Sequence, residues 1–267
     1  MHVGSRVAVC SENPSLEDGS YNPNALQKRL LETWYWVKDT INQKPHAVCI
    51  NGEPCDGPNW KQVGNQSWTT NFDEQLNDAY KLLKIYSPEH FLLTRGSNYH
   101  VQTGNVNMEE MLAAKLNATP YSAYHDKKGS IGRIDYLLTF ELNGKVFSVT
   151  HHVGFNRWFA YRTTAIAREL ADMQFLKGKY WDADHTPSIV VRSHVHYYVE
   201  VRYSTTVAFT TPAWKLPDSH LFKGGLGGTA PSIGAIEVIV EPNGQIQTFP
   251  HILSDEKYPK HNILDLN

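Results

Sequence analysis

Ser188-Ile189-Val190-Val191-Arg192-Ser193-His194-Val195-His196 decides the reading of this chain, because a short β-branched run predicts a buried strand that ends in two histidines. If the strand continues through the i and i+2 positions, both imidazoles leave on one face, close enough to share a metal centre. A strand that merely carries two histidines, one paired with a neighbour and one half exposed, accounts for the spacing equally well. Recurrence of the pattern elsewhere separates the two readings.

The pattern recurs. A strand ending at Ile50 runs into Asn51-Gly52-Glu53-Pro54-Cys55-Asp56-Gly57, and one ending at Thr94 runs into Arg95-Gly96-Ser97-Asn98-Tyr99-His100. Lys145 to Thr150 ends in His151-His152. Ligands bind at the carboxyl ends of strands in α/β sheets, so these loops can converge on one crevice. Imidazole and carboxylate without thiolate suit Mn²⁺, Fe²⁺ or Zn²⁺, whereas Mg²⁺ alone would favour oxygen ligands. Two divalent ions bridged by a carboxylate, about 3.5–4 Å apart, would suit in-line displacement at phosphorus. Phosphoester hydrolysis is the reaction this ligand set fits.

Around these loops the chain alternates helix and strand. Leu26, Leu30, Val37 and Ile41 predict a helix between an Asn24 N-cap and Pro45, followed by a strand from His46 to Ile50. Leu76, Ala79, Tyr80 and Leu83 predict a second helix, Phe91 to Leu93 a strand, and Met108 to Leu116 a third helix. Ile134 to Phe140 and Lys145 to Thr150 read as a hairpin, since Asn143-Gly144 suits a type I′ turn. A helix from Thr164 to Lys177 would end at Gly178. Strands are expected at His196 to Tyr203, Thr206 to Thr210 and Ala235 to Glu241, with a last hairpin turn at Asn243-Gly244. The fold class is α/β, in one domain spanning residues 1–267.

With 267 residues, 41% hydrophobic and 19% charged, and a net charge of -2, the composition is that of a globular protein without the basic excess of a dedicated nucleic-acid binder. No window approaches the roughly 20 apolar residues of a membrane span, and no signal core follows a basic segment, so a cytoplasmic location is expected. Cys10, Cys49 and Cys55 form no CxxC pair, which disfavours a disulfide scaffold and a thiolate zinc site. The sequons at Asn65 and Asn117 then carry little weight.

The order and spacing of these motifs resemble the calcineurin-like metallophosphoesterases, nearest to their phage-encoded branch. That family reads Asp-X-His, Gly-Asp, Gly-Asn-His-Asp/Glu, a lone His, then Gly-His-X-His. Here His2-Val3-Gly4-Ser5 matches the second half of the first motif, Gly52-Glu53 the second, Gly96-Ser97-Asn98-Tyr99-His100 the third loosely, His151 the lone His, and Ser193-His194-Val195-His196 the last. The resemblance implies a sandwich of two mixed β-sheets flanked by helices. It also implies two divalent ions, Mn²⁺ first, held by His2, Glu53, Ser97, His151, His194 and His196, with Glu53 bridging and His100 protonating the leaving oxygen or orienting the phosphate. A phage-encoded protein would work in the host cytoplasm.

Three departures shape these expectations. The Asp of the first motif and the strand before it are absent, so the expected true start lies upstream of Met1. Ser97 stands where the family has a ligating Asn, and His100 lies two residues late. His152 is expected beside the metals as a phosphate-binding group. Arg192 is the first arginine to consider as a phosphate clamp, ahead of Arg95, Arg157 and Arg162. Glu110 reads as a favourable charge at a helix N-terminus. Gly224 to Gly228 lacks a P-loop ending and reads as a loop near the site mouth. Trp34, Trp36, Trp60 and Trp68 read as core or lid contacts. The expected partner is a phosphoester, with DNA, RNA and small molecules all open and no membrane. The rival expectation is a catalytically degraded descendant of the fold that binds a partner through the old site.

Overall fold

A computed structural model describes the chain except residues 15–18, 20, 60–63, 104–105, 126–130, 157, 178, 180–184, 220–221, 223–229 and 259–267. Arg157, Trp60, Gly178 and Gly224 to Gly228 therefore lie outside the described residues. In chain order the first elements are α1 (Ala25–Thr40), β1 (Ala47–Asn51), α2 (Phe72–Lys84), β2 (His90–Thr94), α3 (Asn98–Val101), β3 (Gln102–Thr103), β4 (Val106–Asn107) and α4 (Met108–Lys115). Then come β5 (Ser122–His125), β6 (Ile131–Gly132), β7 (Ile134–Asp135), β8 (Leu138–Leu142), β9 (Lys145–Val149) and α5 (Arg162–Phe175). The remainder is β10 (Ile189–Arg192), β11 (Val199–Tyr203), β12 (Thr206–Thr210), β13 (Gly234–Val240) and β14 (Ile246–Ile252).

Local chemistry explains the boundaries. Asn24 and Gln27 form a reciprocal capping box at the start of α1. The helix buries Leu30, Leu31, Trp34 and Val37, while Leu26 turns outward, so the apolar stripe is rotated from the expected one. Asn143 and Gly144 both take positive φ and close the β8–β9 hairpin. Ile134 leaves that hairpin and pairs with Leu93 of β2 instead.

The α/β expectation holds in layers. β11-β12-β10-β9-β8 form a mixed five-stranded sheet, parallel at β12-β10-β9 and antiparallel at both edges. The facing layer is divided between parallel β1-β2-β7 and the antiparallel β13–β14 hairpin. The expectation of a second continuous mixed sheet is thus corrected. Phe147, Phe209 and Leu138 pack between the layers, and Leu30, Trp34, Leu83 and Leu112 pack outside the divided one. On the far side α5 sets Ile166 and Leu170 against Val190 and Ala208. Each such side chain contributes about 1.5–3 kcal/mol by leaving water. The carboxyl ends of β1, β2, β9 and β10 all deliver their loops to one edge of this sandwich. Among the described residues no helix is long and apolar enough to cross a membrane.

Candidate metal centre

The β1 loop starts the site. Gly52 and Glu53 both take positive φ, which turns the Glu53 side chain back across the strand ends. A Cβ on Gly52 would lie 2.4 Å from His151 Nδ1, and one on Gly96 would lie 2.6 Å from Glu53 Cγ. Only glycine allows this close approach of backbone to ligand. His2 reaches the same point because residues 2 and 3 run parallel to the chain after Glu53, with a bridge between Val3 and Cys55.

Glu53 is held between two histidine groups. Its Oε2 lies 3.1 Å from His2 Nε2, and its Oε1 lies 3.3 Å from His151 Nε2. His196 Nε2 also lies 3.1 Å from His2 Nε2. His2 donates from Nδ1 to Asp56 Oδ1 at 3.1 Å, so the Nε2 lone pair faces a carboxylate and a second imidazole nitrogen. These lone pairs repel unless a proton or cation sits among them. Ligands of one ion with bonds of about 2.1 Å stand roughly 3.0–3.4 Å apart, in line with these separations.

The second group is His151, His152 and His194, whose candidate ligand atoms lie within 4.8 Å of one another. His151 donates from Nδ1 to Asn51 O at 2.7 Å, which fixes the tautomer and aims Nε2 inward. That Nε2 is fully buried and makes no hydrogen bond of good geometry, an orphaned lone pair of the kind a metal ion satisfies. His152 and His194 are exposed at the mouth.

The electrostatics suit a cation. Burial pushes Glu53 up, but its contacts with His151 and His2 outweigh it and hold the carboxyl well below the usual range. Asp56 behaves likewise, with burial overcome by His2 and by Lys215, whose Nζ is 3.1 Å away. His196 and His194 are pushed down chiefly by burial, and His100 falls to about 4 by burial and the nearby His2. His152 is lowered by burial and by His151. Neutral imidazole and ionised carboxylate are the states that bind metal. The residues present fit two divalent ions.

Other expected residues have defined places. His100 donates from Nδ1 to Asp56 O at 3.0 Å and joins the His2 side of the cluster. A ring that is neutral at pH 7, with its one N–H committed to a carbonyl, is poorly suited to protonate a leaving group. Ser97 donates to Glu53 from its hydroxyl, and its backbone N–H approaches Glu53 Oε1 at 3.3 Å. Arg192 stands apart. Its guanidinium is tied to Glu169 of α5 and to Ser148 O and Val191 O, because alternation along β10 sends it to the side of Val190. Glu110 pairs with Arg95 at the surface.

His194 and His196 do not continue the strand. β10 ends at Arg192, and both histidines adopt left-handed backbone, φ 71° and 59°. Each therefore serves a different group, His194 beside His151 and His196 against His2. Four of the eight described non-glycine residues with positive φ are His2, Glu53, His194 and His196. Strain gathered at one cluster is typical of a functional site.

Two contributors escape sequence reading. Glu109, fully buried, accepts from the N–H groups of Glu53 at 2.8 Å and Gly96 at 2.9 Å, tying the β1 and β2 loops together. Burial raises its carboxyl to about 7 against those hydrogen bonds. Lys215, buried beside Asp56 and Asp218, is the other, pinned by a bridge to Ala8.

No protein-family model and no curated protein matches this chain. Solved structures similar to it include a variant of Vps29 from Entamoeba histolytica, at 8% identity, TM-score 0.41, covering 82% of this chain and 89% of that one. A putative 5'-nucleotidase from Staphylococcus aureus is 10% identical, TM-score 0.44, covering 98% and 55%. An archaeal phosphodiesterase is 13% identical, TM-score 0.33, covering 64% and 74%. At these scores the functional reading has to stand on the site's own residues.

Proposed function

We propose that this protein is a metal-dependent phosphoester hydrolase with a dinuclear centre. The observation that carries the reading is the position of Glu53, one oxygen at 3.1 Å from His2 Nε2 and the other at 3.3 Å from the orphaned His151 Nε2. His2, His196 and His100 would hold one divalent ion, His151 and His194 the other, and Glu53 both. Bound there, the ions would supply Lewis-acid stabilisation of charge on a phosphoryl oxygen and a water of lowered pKa. Asp56 and Asn51 O orient the inner imidazoles, while Lys215 offsets the charge of Asp56. His152, at the mouth, donates its N–H to a phosphoryl oxygen.

The rim supports a substrate that carries a ring. Trp158 and Phe159, on the segment after His152, are 71% and 82% exposed. Arg162 lies over both Phe159 and Tyr197, the neighbour of His196. Such faces stack on a nucleobase.

The test is metal analysis of protein purified without chelators, then hydrolysis of bis-p-nitrophenyl phosphate with Mn²⁺. Bound metal and turnover lost with chelator or with Glu53→Gln support the reading. Metal without turnover turns the molecule into a binding protein, and neither metal nor turnover ends the proposal. Higher kcat/KM on thymidine 5'-p-nitrophenyl phosphate than on the bis ester, lost in Trp158→Ala, is expected for a nucleotide-type substrate.

A further inference from the structure

A cavity of about 730 Å³ runs inward from the metal centre, between β1 and β13. Every residue of 47–51 and of 234–240 lines it, whichever face its side chain takes. That is the signature of a strand's hydrogen-bonding edge rather than of a face. β1 pairs with β2 alone and β13 with β14 alone, so both edges are open among the described residues. The two strands nonetheless belong to one layer. Val48 and Ala235 touch the core around α1, whereas Ala47, Ile236 and Val238 touch the core of the five-stranded sheet.

The slot is apolar on both sides. Trp34, Val37 and Leu83 line it from the helices, and Phe140, Phe147 and Phe209 line it from the opposite sheet. Cys49, in the middle of β1, is accessible although burial pushes its thiol up to about 12, because it faces this enclosed space. Open backbone edges inside an apolar cavity leave N–H and C=O groups unpaired, which costs free energy until a partner arrives.

Direction is set at the mouth. The buried Met1 ammonium donates to Glu53 O at 2.8 Å, and Val3 bridges Cys55 in parallel register. Carried back at the same spacing, residues leading into Met1 lie alongside β1 itself.

We propose that the slot is the seat of an additional β-strand, a run of about six apolar, β-branched residues that leads into Met1, parallel to β1 and between β1 and β13. It joins β1-β2-β7 and β13–β14 into one sheet. Both of its faces are apolar, as in a strand covered on each side. A membrane of neighbouring hydrogen bonds would then hold Met1 and His2 from both sides of the layer.

The codons immediately upstream and in frame with Met1 supply the test. They should encode such a run, and a stop codon or a polar, proline-bearing stretch there overturns the proposal. The chain carrying those residues is compared with residues 1–267 alone and with the same extension bearing a central proline. Expected are a Tm higher by about 5 °C or more, and modification of Cys49 by methyl methanethiosulfonate slowed at least about 10-fold, both reversed by the proline. Equal Tm and equal Cys49 rates in the three chains overturn it. So does equal protection by the free peptide at an equimolar concentration, which would assign the slot to a separate chain. Neither readout involves metal or turnover, so failure here is distinct from failure of the hydrolase reading.

Discussion

The two halves of the metal centre are built differently. The half around His2 is buried and laced with carboxylates: Asp56 fixes His2, Lys215 fixes Asp56, and Asn59 donates to the other oxygen of Asp56 at 3.0 Å. The half around His151 has one buried imidazole and two exposed ones, and its fixed contact is a backbone carbonyl. A pre-oriented, anionic half binds its ion tightly. An exposed, histidine-only half exchanges its ion more easily and faces substrate. Glu53 is common to both.

Glu53→Gln should therefore have the largest effect, removing both ions and lowering kcat/KM at least about 1,000-fold, roughly 4 kcal/mol of transition-state stabilisation. Loss of only one ion, read by metal analysis, would mean that Glu53 belongs to one half alone.

Glu109 supports both halves through the two loop amides, and its pKa gives a pH test. A carboxyl raised in the folded state from 4.5 to about 7 contributes stability that is full below its unfolded pKa and is lost as pH rises toward 7. In metal-free protein, stability should fall by about 3 kcal/mol over that window relative to Glu109→Gln. Urea unfolding at pH 4.5 and 7.5 reads the difference, and parallel profiles for the two proteins would break the assignment.

Smaller and opposite effects should separate the halves. His194→Ala should lower affinity for one ion about 10–100-fold and leave the other bound, whereas Asp56→Asn should weaken the ion at His2 by a similar factor. Titration of apo-protein with Mn²⁺ distinguishes them. If both variants weaken the same ion, the two halves are one site.

Most of the ligand set was legible because each residue sits directly after a β-branched run, where an α/β sheet delivers its loops. The detail was not. The i, i+2 rule assumes extended backbone, and left-handed φ at His194 and His196 divides the pair between two groups. Glu109 and Glu110 differ by one helical position, which alone decides that Glu109 turns inward and Glu110 outward. Arg192 was readable, since alternation with Val190 already sends it to α5. Lys215 shows only as a cation between buried Trp214 and Leu216, a weak signal. The layer order was expected. The divided layer was not, because open strand edges leave no mark in side-chain pattern.

The most direct measurement is the metal stoichiometry of purified protein, by elemental analysis, alongside Mn²⁺-dependent turnover of bis-p-nitrophenyl phosphate in wild type, His194→Ala and Glu53→Gln. Two ions per chain, one and none are predicted, with turnover only in the first. A single ion in wild type, or turnover that survives Glu53→Gln, would contradict a dinuclear centre bridged by Glu53.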